Sequence, residues 1–159
     1  MRIRVLCIGK LKERFYVDAA LEFQKRLSRY ASVELVELAD ARAPEQLSAA
    51  QREQVKSEEG QRLLARVDEG DFLVALDPRG QELASEEFAA QLQSWMNAGK
   101  SRIAFAIGGS LGHGQEVLRR ADFRLSFGKP TFSHQIFRIM LLEQIYRAFK
   151  ILHGEPYHK

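Results

Sequence analysis

The alternation of apolar and polar positions changes character several times along the chain, and each change marks an element. Ile3, Val5 and Cys7 alternate with polar residues and then merge into the unbroken run Val5 to Ile8. That is the pattern of a strand covered on both faces, and Gly9 closes it. Between Lys12 and Arg29, apolar residues recur at steps of four (Phe15, Ala19, Phe23, Leu27), which predicts an amphipathic helix. Ser32 to Leu38 alternates again and predicts a second strand. Pro44 to Val67 is charged with a sparse apolar face and predicts a helix or helix pair. Phe72 to Leu76 predicts a third strand, closed by the turn signature Asp77-Pro78-Arg79-Gly80. Ser85 stands where a cap is needed for a helix reaching about Asn97 to Gly99. Arg102 to Ile107 predicts a fourth strand, Gln115 to Arg120 a short helix, Phe123 to Ser126 a fifth strand, and Ser133 to His153 a long last helix.

Strand and helix in alternation imply an α/β fold, with a mostly parallel sheet and helices on both faces. A length of 159 residues implies one domain over 1–159. Ligands of such sheets sit beyond the carboxyl ends of the strands. Here those ends are Leu76-Asp77, Ile107-Gly108 and Ser126-Phe127, so three loops are expected along one edge.

Composition narrows the class without naming a chemistry. Hydrophobic residues make up 45% and charged residues 28%, as in ordinary globular domains. The lone Cys7 lies in an apolar run and reads as a buried, inert thiol. No apolar run reaches membrane-spanning length, and no leader pattern stands before the first strand, so a cytoplasmic location is expected. No Cys/His spacing suits a metal, and none is expected. The net charge is +3, which permits an RNA partner without requiring one. Its distribution says more, since the stretch from Asp40 to Glu87 is acid-rich while Lys100 to Lys159 is basic.

Candidate chemistry concentrates in the last third. GGSLGHG (Gly108 to Gly114) follows a strand but lacks the spacing of a dinucleotide fingerprint. It formally matches the G-x-S-x-G elbow, with Ser110 as nucleophile and Asp122 and His134 in the matching chain order. The simpler reading is a tight turn whose missing side chains let backbone groups approach a ligand. FGKPTF (Phe127 to Phe132) is a second such loop, and its two phenylalanines either bracket an adenine or belong to the core. The last helix is apolar around most of its circumference, with Glu143, Arg147 and Lys150 as a polar stripe and Arg138 and Gln144 beside it. A helix of that kind is covered on two sides, by the core alone or by the core and a second subunit.

Ala106 to Gly109, Phe127 to Phe132, Ser133-His134-Gln135, Glu143 to Ala148 and the ending Tyr157-His158-Lys159 together resemble the ribosomal RNA large subunit methyltransferase H family, along the whole chain. The resemblance implies a SPOUT-type α/β fold with a C-terminal trefoil knot. It implies S-adenosylmethionine as cofactor, held by Leu76, Gly108 and the loop Phe127, Gly128, Lys129, Pro130, Thr131 and Phe132. The reaction implied is methylation of N3 of a pseudouridine in 23S rRNA within the ribosome. The family works as a homodimer in which one subunit's tail completes the other's site. Methyl transfer needs a base within reach of the N3 proton, and the candidates are His158 or His134. Tyr157 would position the base, and Arg147 would stabilise the developing anion or grip a phosphate. A serine hydrolase using Ser110 and a non-catalytic RNA-binding protein stand as the other two readings.

Overall fold

The computed structural model describes residues 1–159. Five strands form one sheet: β1 (Arg2–Ile8), β2 (Ser32–Leu38), β3 (Phe72–Glu82), β4 (Arg102–Ile107) and β5 (Phe123–Ser126). Their order is β2-β1-β4-β3-β5, and every pairing is parallel. Five helices connect or follow them: α1 (Arg14–Leu27), α2 (Ala49–Leu64), α3 (Ser85–Asn97), α4 (Gln115–Arg120) and α5 (His134–Leu152).

Strand alternation sorts the core into two layers. Ile3, Val5, Cys7, Val74, Ile103, Phe105 and Leu125 face one way and pack with buried residues of α1, α3 and α5. Leu6, Ile8, Leu73, Ala75, Ala104 and Ala106 face the other way, toward Leu63 of α2 and Val117 and Leu118 of α4. Because both faces are covered, the strands are apolar nearly throughout, as the run Val5 to Ile8 suggested. Cys7 is fully buried, and burial pushes its thiol up to about 12, so it is inert at neutral pH.

The structure moves three boundaries. The charged segment after Pro44 is a single helix that starts only at Ala49. Ser48 Oγ accepts from the Gln51 N–H at 3.2 Å while Gln51 Oε1 accepts from the Ser48 N–H at 2.8 Å, a reciprocal cap that fixes the start. Ser85 lies inside α3 instead of capping it. Ala84 is the cap residue, its N–H donating to Glu87 Oε2 at 2.7 Å, and Ser85 Oγ donates to Gln144 of α5 at 2.8 Å. The third change matters most. Asp77 to Gly80 does not end β3 but bulges out of it. Pairing with β5 stops at Leu76↔Leu125 and resumes at Gln81↔Leu125. Asp77 Oδ1 accepts from the Arg79 N–H at 3.1 Å, so the turn chemistry is present, and pairing on its far side carries the strand onward. Gly80 needs to be glycine, since a Cβ there would lie 2.7 Å from the Arg124 carbonyl carbon.

Candidate functional site

The bulge of β3 and the carboxyl ends of β4 and β5 open into a cavity of about 600 Å³. Its walls include Leu76 to Arg79 at the bulge of β3, Ile107 to His113 at the end of β4 and beyond it, and Phe127, Gly128, Pro130 to His134 and Phe137. Leu76, Gly108, Phe127, Gly128, Pro130, Thr131 and Phe132 therefore line one space. Lys129 is exposed and does not line it. Two glycines shape the walls. A Cβ on Gly108 would come within 3.0 Å of the Gly112 backbone, and Gly128 has φ +100°, a conformation that other residues avoid. Phe127 and Phe132 both pack on Phe137, with ring centres 5.0 and 6.0 Å away.

Two polar side chains at this cavity were not singled out by the sequence. Asp77 is 7% exposed, and its Oδ2 has no hydrogen-bond partner; Arg124 stands 3.9 Å away. His113 donates from one ring nitrogen to the Ala106 carbonyl at 3.1 Å, which clips the glycine turn back onto β4. Its Nδ1 is buried without a partner, and burial pushes its pKa down. The only sequence signal for either was adjacency to a strand end.

His134 opens α5 behind the Ser133 cap, whose Oγ accepts from the Ile136 N–H at 3.4 Å. The ring stands where a Gly9 Cβ would be, 2.6 Å from its Cε1, so Gly9 (φ +92°) is required for space as well as conformation. Arg138 was grouped with the polar stripe of this helix, and the structure corrects that, because it is 0% exposed. Its guanidinium donates to Glu37 at 3.0 Å, to the Gly9 carbonyl at 3.2 Å, to the His134 carbonyl at 3.1 Å and to His134 Nδ1 at 2.8 Å. An arginine has no lone pair to offer, so His134 Nδ1 is the acceptor. The neutral ring then carries its proton on Nε2. Burial and the Arg138 charge both push the His134 pKa down, in agreement with that tautomer.

The other candidates gather elsewhere. Arg147 donates to Glu143 at 2.5 Å and to His158 Nδ1 at 3.2 Å. Tyr157 donates to the same Glu143 oxygen at 3.0 Å, and its ring lies 4.7 Å from the Arg147 guanidinium. His158 Nε2 contacts Glu86 of α3 at 2.7 Å. Burial, and then the bond to Glu143, push the Tyr157 pKa up. The tail is thus docked, not frayed. Arg147 and His134 are thirteen positions apart on one helix, roughly 20 Å at the usual rise. A single chain therefore brings Arg147, Tyr157 and His158 together and leaves His134 at the cavity.

Beside α5 an apolar groove of about 840 Å³ runs between Phe23, Phe88, Ile136, Ile139 and Met140. Ile136 is 40% exposed, so the outer side of this helix is uncovered in a single chain. No Ser110 triad exists. Asp122 accepts from the Leu73 N–H at 2.8 Å and from Arg120 at 3.1 Å, at the amino edge of the sheet, and His134 Nδ1 is committed to Arg138. No group of three or more His, Cys, Asp or Glu side chains is placed to hold a metal, and no helix is long and apolar enough to cross a membrane.

Residues 1–158 match the family model described as "Predicted SPOUT methyltransferase". The chain is 51% identical to a ribosomal RNA large subunit methyltransferase H of Carboxydothermus hydrogenoformans, over 100% of both chains. It is 50% identical to the protein of that name in Lactobacillus delbrueckii subsp. bulgaricus and 48% to that in Acetivibrio thermocellus, again end to end. Among solved structures, a probable methylase family protein from Haemophilus influenzae superposes with a TM-score of 0.55 at 15% identity, covering 99% of this chain and 70% of that one. A tRNA (m1G37) methyltransferase from Aquifex aeolicus gives 0.51 at 14% identity, over 92% and 70%. At these identities the two superpositions speak for the fold alone.

Proposed function

The chain belongs to the SPOUT methyltransferase family, and from that premise we propose that it methylates N3 of a pseudouridine in 23S rRNA of the assembled ribosome. It does so in the cytoplasm, as a homodimer of single-domain subunits with S-adenosylmethionine as methyl donor. The observation that carries the reading is the cavity between the bulge of β3 and the ends of β4 and β5, in a chain that aligns end to end with relatives named as rRNA methyltransferases. The bulge of β3 supports a C-terminal knot. Ser126 Oγ donates to the Pro78 carbonyl at 3.1 Å, and Gly80 sits against the Arg124 backbone, so the bulge embraces β5 just before the loop 127–133.

The cavity suits the cofactor. Its volume lies within the roughly 300–1,000 Å³ of small-ligand clefts. The backbone at Gly108 and Gly128 is bare, and Phe127 and Phe132 offer ring faces. Asp77 Oδ2 and His113 Nδ1 are acceptors in want of a donor, and a carboxylate oxygen without a hydrogen bond suits a cationic ligand. Leu76, Gly108, Phe127, Gly128, Pro130, Thr131 and Phe132 form the holding set. When bound there, the cofactor supplies an electrophilic methyl on a sulfonium.

The protein must hold N3 in line with that methyl and remove its proton. His158 is the base. Its Nε2 faces the Glu86 carboxylate, which leaves Nδ1 as the basic nitrogen, the logic of carboxylate–histidine pairs. His134 is backed by an arginine instead and carries its proton on Nε2, which makes it a donor. Arg147 now occupies His158 Nδ1 and, once swung onto substrate, stabilises the anion that forms as N3 loses its proton. Tyr157 fixes the pair through Glu143. The separation of His134 from this group, and the uncovered side of α5, support a site shared between two subunits.

Transfer of labelled methyl from S-adenosylmethionine to ribosomes lacking the modification tests the reading, with isolated large subunits and free 23S rRNA in parallel. Label at N3 of one pseudouridine in assembled ribosomes is the expected result. No label in any of the three would end the proposal.

A further inference from the structure

A second cleft adjoins the cofactor cavity and has no part in the account so far. It measures about 710 Å³ and shares Gly109, Ser110, Leu111 and His134 with that cavity. Its far wall is the loop from Asp40 to Leu47 with Arg52, Val55 and Glu59 of α2. The methyl acceptor must stand against the cofactor cavity, so the spaces sharing its wall are the places to look. There are two. The groove beside α5 shares Leu125, Phe127 and Gly128 and is mainly apolar. The cleft beside α2 is mainly polar, and its lining bears both signs of charge.

Three features of that cleft fit a nucleotide. Arg42 and Arg52 are exposed and make no ion pair or side-chain hydrogen bond, unlike most arginines of the sheet edge and of α5. Free guanidiniums at a cleft suit phosphate. At the inner end, His134 presents Nε2–H, because Arg138 holds its Nδ1. A neutral N–H donor suits a carbonyl oxygen of a pyrimidine. On the floor, Glu59 is 5% exposed, with Oε1 accepting from the Ala41 N–H at 3.2 Å and Oε2 unpartnered against Gly109. Its bond to Ala41 ties the loop carrying Arg42 to α2, and its free oxygen stands beside the glycine turn. Asp40 and Glu45 would repel a phosphate and so confine it to the arginines, leaving the carboxylates to sugar hydroxyls.

We propose that this cleft receives the target nucleotide, with a backbone phosphate between Arg42 and Arg52 and a base carbonyl oxygen on His134 Nε2–H. The assignment rests on the reading of the protein as an rRNA methyltransferase and names where its substrate lies. It gives His134 a chemical role. When N3 loses its proton, the charge spreads onto the neighbouring carbonyl oxygens, and a fixed donor there lowers the barrier. Arg138 acts through His134 as a positioning residue.

The test uses the full-length protein and unmodified ribosomes. Arg42→Gln with Arg52→Gln should lower kcat/KM at least tenfold and flatten its salt dependence by about one unit of log slope per lost phosphate contact. Ala43→Trp, at an exposed loop position, should obstruct the cleft and lower kcat/KM at least as far. S-adenosylmethionine affinity should stay within twofold in both. Unchanged kcat/KM in both variants overturns the assignment. A second measurement does not depend on turnover: pseudouridine 5′-monophosphate is titrated into isotope-labelled wild-type protein. Shifts at Gly109 to Leu111, the His134 ring and the Arg42 and Arg52 side chains are expected, and shifts confined to any other surface overturn the proposal. If the wild-type protein labels no ribosomal substrate while those shifts appear, the activity reading fails and the cleft survives.

Discussion

The two ends of α5 are built on opposite terms. At its start, His134 and Arg138 are tied to the sheet by bonds that span the chain, to Gly9 and Glu37. At its finish, Arg147 is paired within the helix to Glu143 and with a tail a few residues on. The first end is rigid and finished, since every bond it makes is internal and the arginine is fully buried. The second is half-exposed, and its histidine and arginine occupy each other. On the proposed reading a substrate has to break that contact to use either group. One helix thus holds a fixed N–H donor at its start and, at its finish, an arginine paired with a tail histidine, roughly 20 Å apart in a single chain.

Breaking the buried end should have the largest effect. Arg138→Leu removes the partner of Glu37 and leaves the Gly9 carbonyl and His134 Nδ1 without their donor. Loss of one member of a buried pair costs about 3–5 kcal/mol, and the lower figure applies because Glu37 is a third exposed. Urea unfolding measures it, and a change under about 1 kcal/mol would contradict the structure around this arginine.

The distance between the ends can be tested directly. His134→Ala and Arg147→Ala homodimers should each lose methyl transfer by at least tenfold. A mixed dimer of one His134→Ala and one Arg147→Ala subunit should recover about half of the wild-type rate if each site takes a cavity from one subunit and a tail from the other. A mixed dimer as inactive as its parents would place both residues in the service of one chain's site.

Titration separates the finished cavity from the tail. Burial holds the pKa of His113 and His134 below that of the unfolded chain. The unfolded state therefore binds more protons below about pH 6.5, and these histidines contribute stability above that pH that is lost as pH falls. The urea midpoint should drop between pH 7 and pH 5.5, and His113→Leu should make that drop shallower. Superimposable pH profiles would mean that His113 is not held neutral. The smallest effect belongs to the tail. Tyr157→Phe loses one hydrogen bond to Glu143 and keeps the ring against Tyr146 and Arg147. It should cost about 0.5–1.5 kcal/mol and leave S-adenosylmethionine affinity unchanged, which isothermal titration would show.

Much of the fold could be read from the chain because its strands are covered on both faces. Runs such as Val5 to Ile8 and Phe72 to Leu76 leave little choice of element, and glycine-rich turns after them mark the working edge. The continuation of β3 could not be read. Asp77-Pro78-Arg79-Gly80 has the chemistry of an ending, and only pairing with β5, contributed from far along the chain, makes it a bulge. Arg138 was misplaced for a similar reason. A charge on a helix suggests water, and its carboxylate partner is 101 positions away. The residues proposed to hold S-adenosylmethionine followed from the family resemblance. Asp77 and His113 carried only their nearness to strand ends, and the pair Arg42 and Arg52 carried no local signal, because their meaning lies in what stands opposite them in space.

The bond from Arg138 to the Gly9 carbonyl joins residues 129 positions apart, and β1 lies beside β4, nearly a hundred residues later. Contacts of such long reach form slowly. During synthesis, β1 emerges with only β2 to pair with, its other edge open until β4 arrives, and Gly9 and Glu37 wait for a helix made almost last. A strand finished by a helix made more than a hundred residues later stays unfinished until that helix emerges, and before β4 arrives a chaperone or a protease would find the exposed edge of β1.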